Sequence, residues 1–207
     1  MKTKLFLGLV ALFITTQAHA LSLSDVLFNG NPADGMTGVI MGNDTGIASG
    51  LNDIFGGNEF SLIAKDDPPG GSAATGSLGG LNFSVVSSGK GTKTPSGVTG
   101  TWDLTWSGPG LPMTVDFVVV LKASDRYVAF FFDDVLLGVT GSSTDNPWTI
   151  TFKNNGGQYP ELSHLSLYGR DPLPGSPDPR DPVPEPATML LFGTGLIGLA
   201  GIARRKN

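Results

Sequence analysis

Residues 101–106 read Thr101-Trp102-Asp103-Leu104-Thr105-Trp106. Large apolar residues occupy every second position and polar residues the positions between. A period of two belongs to a strand with one face buried and one wet, because successive side chains leave a pleated chain on opposite sides. Trp102, Leu104 and Trp106 form the inward set. The pattern returns downstream: residues 148–153 put Trp148, Ile150 and Phe152 inward, and Leu165 and Leu167 alternate with His164, Ser166 and Tyr168. Residues 115–121 and 127–137 are apolar on both faces, which predicts central strands covered on each side. Residues 59–64 and 81–86 are two more candidate strands.

The connections suit antiparallel pairing. Ser107 to Pro112 and Asn154 to Gly157 are clusters of turn residues, and residues 123–125 make a short hairpin link. No stretch of the body carries a sustained 3.6-residue period with caps, so little helix is expected. Residues 29–57 and 68–80 are rich in glycine and polar residues and read as long surface loops. The expectation is an all-β fold, an antiparallel β-sandwich or jelly-roll-like domain. With no cysteine in the chain, packing alone must hold that domain.

The two ends have a different character. Lys2 and Lys4 precede an apolar run that is short for a membrane span, and Ala18-His19-Ala20 supplies the small residues read by a signal peptidase. Residues 1–20 are therefore expected to be a secretory signal peptide, cut between Ala20 and Leu21 after passage through the Sec export machinery. Residues 21–169 are the extracellular domain. Residues 170–183 are a proline-rich linker, a semi-rigid spacer. Residues 187–203 carry no charge and suffice to cross a hydrocarbon core as a helix. Arg204, Arg205 and Lys206 follow, and basic residues stay on the cytoplasmic side, which leaves the body of the chain across the membrane.

Pro184-Glu185-Pro186, the apolar segment and the basic end come in that order at the C-terminus. The arrangement of residues 184–207 resembles the PEP-CTERM sorting signal. That resemblance implies an exported protein processed by an exosortase, a membrane-embedded enzyme of Gram-negative bacteria that make exopolysaccharide. It implies passage through an inner-membrane intermediate to the cell surface or extracellular matrix. The physics of the motif agrees with such a role. Two prolines remove two N–H donors and fix φ, keeping the segment extended and unpaired for a protease cleft to grip.

The chain has 18 acidic against 13 basic residues, a net charge of −5. Five of the basic residues lie in the two ends, so the body is more acidic still. Such a surface disfavours nucleic acid and anionic lipid. Catalytic signatures are missing from the body. With His19 in the leader, His164 is the one histidine of the mature chain, and no Gly-x-Ser-x-Gly elbow accompanies it. A surface or hydrogen-bonded structural role is expected for it. Asp133 and Asp134 are adjacent in a strand, so they are expected on opposite faces, unable to act as a pair across a sugar. The chain therefore reads as no enzyme, with no resident cofactor.

Calcium is the one ion its loops would suit, through Asp133, Asp134, Asp145 and Asn146, or through Asp66 and Asp67. Among the aromatic residues, Trp102, Trp106 and Trp148 belong to core faces, and Tyr159 is the best exposed candidate for stacking on a sugar. Two readings of the role follow. The first is a non-catalytic surface or exopolysaccharide-matrix protein. The second is a carbohydrate-binding module, assisted by calcium.

Overall fold

The computed structural model describes residues 20–57, 60–68, 74–139 and 141–171. All but the last residue of the signal peptide, most of the linker and the whole C-terminal signal with its expected membrane helix lie outside the described residues. A 3-10 turn at Leu23–Asp25 leads into β1 (Leu27–Phe28), β2 (Asn31–Pro32), β3 (Gly35–Met36) and β4 (Ile40–Met41). The helix α1 (Ala48–Phe55) precedes β5 (Ser61–Asp66), β6 (Ala74–Leu78), β7 (Leu81–Ser87) and β8 (Thr92–Thr94). The long strands follow: β9 (Gly97–Ser107), β10 (Met113–Ala123), β11 (Arg126–Leu137), β12 (Ser142–Ile150) and β13 (His164–Arg170).

Eleven strands join in one antiparallel sheet of order β12-β9-β7-β6-β5-β13-β10-β11-β3, with β4 also on β11 and β8 also on β9. The sheet doubles over at β6, which pairs with β5 through Ala64↔Thr75 and with β7 through Gly76↔Phe83. Gly76 is required there, since a Cβ would lie 2.6 Å from the Ile63 carbonyl oxygen. The two halves then face each other. Phe83, Trp102, Leu104 and Trp148 from one half share a single apolar cluster with Phe117, Val119, Phe130 and Leu165 from the other. Phe28 bridges them, its ring 5.7 Å from Trp102 and 5.1 Å from Phe117. The result is an all-β, sandwich-like arrangement, as the alternating pattern predicts.

The inward assignment of the tryptophans holds: Trp102, Trp106 and Trp148 are buried. Each indole N–H finds a backbone carbonyl, of Leu27, Gly138 and Thr101 respectively. Such partners are what buried indoles need.

Three expectations need correction. Residues 68–80 are no loop throughout, because β6 occupies their second half. Glycine hid it: the close approach that demands Gly76 is what makes the stretch look like a loop. The second concerns residues 29–57, which contain β2, β3, β4 and α1. Leu51 of α1 is buried, and Ile47, Ala48 and Phe55 pack with it over Val118, Val120, Ala129 and Tyr168. The third concerns β13, which is buried on both faces rather than one. Its Leu165 and Leu167 enter the main core while Ser166 and Tyr168 lie under the α1 segment. Among the described residues no helix is long and apolar enough to cross a membrane.

Candidate functional site

The β1–β2 hairpin and the second half of β11 line an open cavity of about 470 Å³. Phe28, Phe132 and Val135 supply apolar wall, and Asn29, Asn31, Asp34, Asp133 and Asp134 supply polar groups. A concave site with an apolar base and a few converging polar groups is the usual form of a small-molecule site.

The geometry of the carboxylates departs from simple alternation. β10 and β11 pair in register as Val115↔Val135 and then as Phe117↔Phe132, so Asp116 stands opposite both Asp133 and Asp134. This is a β-bulge, with two residues facing one. Asp134 takes a positive φ of 47° and its N–H donates to Asp116 Oδ1 at 3.0 Å. The Asp133 N–H donates to Asp34 Oδ2 at 2.9 Å. The bulge thus overturns the expectation that Asp133 and Asp134 point apart. One oxygen from each of Asp116, Asp133 and Asp134 lies within 4.8 Å of the others.

Burial, the charges of Asp116 and Asp134, a hydrogen bond with Asp116 and the charge of Asp34 all push the Asp133 carboxyl above its ordinary value. The repulsion is partly relieved by Arg170, whose Nε donates to Asp116 Oδ2 at 2.9 Å. Asp116 and Arg170 are both buried. Arg170 also lies over the rings of Phe60 and Phe131, 4.4 Å and 5.4 Å from their centroids. The three carboxylates could together offer a divalent cation three oxygen ligands, with Asp116 shared between that site and Arg170.

The other candidates are dispersed. Asp145 and Asn146 do not join Asp133 and Asp134. The Asp145 N–H donates to Asp103, while Asn146 is buried and bonded to Asn29, Ser143 and the Trp102 carbonyl. Asp66 and Asp67 separate as well. Asp66 is buried and accepts from the N–H and hydroxyl of Ser87. Asp67 lies 3.1 Å from Lys65 Nζ and 3.5 Å from His164 Nδ1.

His164 is hydrogen-bonded and partly buried, its Nε2 2.7 Å from Asp44 Oδ1. The Ser166 hydroxyl donates to Asp44 and not to His164, so these three residues lack the order of a nucleophile–base–acid relay. Tyr168 is buried, its hydroxyl bonded to the Asp44 carbonyl. Tyr159 is not an exposed platform either: it packs against the main core, with Lys153 Nζ 5.2 Å from its ring centroid. Ala20 is exposed and Leu21 packs partly buried against that core.

Asp116, Asp34, Asp44 and Arg170 are the participants that the sequence reading passes over. Asp116 had a signal: one acid inside the run Val115 to Leu121 must find a partner if the strand is buried. Asp34 and Asp44 had none, since both lie in polar, glycine-rich chain.

The described residues thus define a class of module, a sandwich-like all-β domain with an acid-walled cavity. The rest of the identification comes from the C-terminus. Residues 182–206 match the family described as the PEP-CTERM protein-sorting motif, a span that holds Pro184, Glu185, Pro186, Arg204, Arg205 and Lys206. The chain carries that motif, which marks an exported protein associated with the cell surface and directed to an exosortase. No curated protein and no solved structure matches the chain.

Proposed function

We propose that this is a non-catalytic surface protein, delivered to the exterior or to the exopolysaccharide matrix of a Gram-negative bacterium. The single observation that supports this most is the sorting motif at residues 182–206, following the β-domain in the chain. In this reading the leader at 1–20 is removed between Ala20 and Leu21, and the segment 187–203 holds the chain in the inner membrane. The exosortase then acts near Pro184-Glu185-Pro186. Intact-mass analysis of protein from its native host tests it. Loss of the segment beyond about Glu185, dependent on the exosortase, is the expected result. A mass that retains residues 187–207 with and without the enzyme would sink the processing step.

A second reading is favoured by the cavity. Asn29, Asn31, Asp34, Asp133 and Asp134 offer the amide and carboxylate groups that bind polyols, beside apolar surface at Phe28 and Phe132. The proposed role is a carbohydrate-binding module assisted by calcium at Asp116, Asp133 and Asp134. Calorimetric titration of the full chain with host polysaccharide, with and without calcium, tests it. Binding that survives both chelation and Asp133→Asn would remove the ion from the account.

A further inference from the structure

The segment 42–57 crosses the outer face of the sheet as a strap, and it is attached differently from any strand. β13 offers His164, Ser166, Tyr168 and Arg170 at alternate positions, and all four bond to the strap. His164 Nε2 lies 2.7 Å from Asp44 Oδ1, and the Ser166 hydroxyl donates to Asp44 Oδ2 at 3.0 Å. The Tyr168 hydroxyl donates to the Asp44 backbone carbonyl at 3.0 Å. At the far end the Arg170 guanidinium donates to the Gly56 carbonyl. One residue, Asp44, thus gathers three of the four ties, and it is only 3% exposed.

Between these ends the attachment is through side chains. Leu51 is buried, Ile47, Ala48 and Phe55 pack partly buried beside it, the Phe55 ring stacks 5.1 Å from that of Phe131, and the Asn52 side chain accepts from the Phe60 N–H. Among the described residues no backbone–backbone hydrogen bond joins residues 43–57 to a strand. The helix inside the strap is eight residues long, contains Gly50, Asn52 and Asp53, and begins at Ile47 without a side-chain cap. A helix so short and uncapped holds together only through its packing. Gly42 and Gly56 stand at the two ends with φ of 118° and 70°, positions that can rotate at small cost.

We infer that residues 42–57 form a lid that opens as a unit, with Asp44 as its latch, while the two-layered sheet stays folded. Opening would bare the apolar strip of Val118, Val120 and Ala129 on the outer face. Sub-global opening of this kind follows local stability, and the strap is held by side-chain packing and a polar tie concentrated at Asp44, with no backbone ladder to a strand.

Hydrogen exchange read by mass spectrometry on the full chain at neutral pH tests the lid. Amides of residues 48–55 are expected to exchange faster than those of β9 and β10 in the wild type. Asp44→Asn should speed the lid a further tenfold or so, the effect of losing a buried charge-assisted bond, with β7, β9 and β12 unchanged. Tyr168→Phe, which removes one hydroxyl and no charge, should give the same pattern at smaller size. Two results would overturn the inference. One is acceleration shared by β9 and β12, outright unfolding of Asp44→Asn included. The other is a lid whose exchange neither variant alters.

Discussion

β10 is buried on both faces, and the two faces are kept from water by opposite means. Its inner face carries Val115, Phe117, Val119 and Leu121 into a core of aromatic and branched side chains. Its outer face carries Val118 and Val120 beneath the α1 segment, with the buried Asp116 and Lys122 to either side along the strand. Inside, stability comes from apolar area removed from water and is spread over many contacts. Outside, a smaller apolar cluster is joined by a few polar ties, each with a specific partner: Asp116 with Arg170, Asp44 with His164 and Ser166, Lys122 with the Ser124 carbonyl. The first kind of face tolerates exchange of one apolar residue for another of similar volume. The second does not tolerate the loss of one partner, because the other is left buried and unpaired.

The largest effect is expected on the inner face. Trp102→Ala, which empties the centre of the core, should cost about 3–5 kcal/mol in urea unfolding, seen equally by every probe. A smaller loss, or one confined to β12 and β9, would show that the two halves are not one cooperative core. Next comes Asp116→Ala, expected to cost about 3 kcal/mol because Arg170 is stranded. Replacing both, as Asp116→Leu with Arg170→Met, should cost much less. A double variant as damaged as the single one would mean that packing, not charge, is what the pair contributes.

Two effects of pH should separate the carboxylates by sign. Burial pushes the Asp44 carboxyl up, but the hydrogen bond and charge of His164 and the Ser166 hydroxyl outweigh it, and the net shift is downward. Its contribution is therefore fully present above the ordinary value of 3.8 and is lost as pH falls through its lower, folded value. Asp67, Lys65, Tyr127 and Tyr168 surround the same clasp. Burial, the charge of Asp44 and that of Tyr127 push Tyr168 up to about 12, so it stays neutral throughout. In thermal melts across pH, the gap between wild type and Asp44→Asn should be about 1–3 kcal/mol at neutrality and close in acid. A gap that does not close would assign the effect to the Asn side chain and not to lost charge.

Asp133 goes the other way. Its raised carboxyl binds protons more tightly when folded, so its contribution to stability is greatest in acid. That contribution falls as pH rises from 3.8 through the folded value. Asp133→Asn should therefore raise the melting temperature slightly at neutral pH, the smallest of these effects. A lowered melting temperature would show that the carboxylate is held by a partner.

How far the sequence could be read depends on which face a residue serves. Trp102, Leu104, Trp106, Trp148 and Ile150 declared their side through a period of two, and the structure buries all five. Alternation failed at Asp133 and Asp134 because a bulge resets the period, and a bulge is set by the pairing of β10 with β11 rather than by local composition. Glycine misled twice. At Gly76 it marks a backbone contact within a strand, and in residues 42–57 it sits in and around a helix with no strong propensity of its own. The clasp at Asp44 was illegible for a different reason. Its partners are more than a hundred residues away, and nothing local distinguishes that aspartate from any loop carboxylate.

The position of β13 has a mechanical consequence. It is the last strand before the proline-rich linker, yet it lies between β5 and β10 and not at the rim of the sheet. Tension applied to the chain beyond Arg170 would pull along a strand bonded on both flanks. Such a pull loads two rows of hydrogen bonds together in shear, and Arg170, tied to Asp116 and seated over Phe60 and Phe131, is the first point to take the strain. A domain tethered through a rim strand would instead peel open one bond at a time. In this one the chain leaves from a middle strand toward the C-terminal sorting motif.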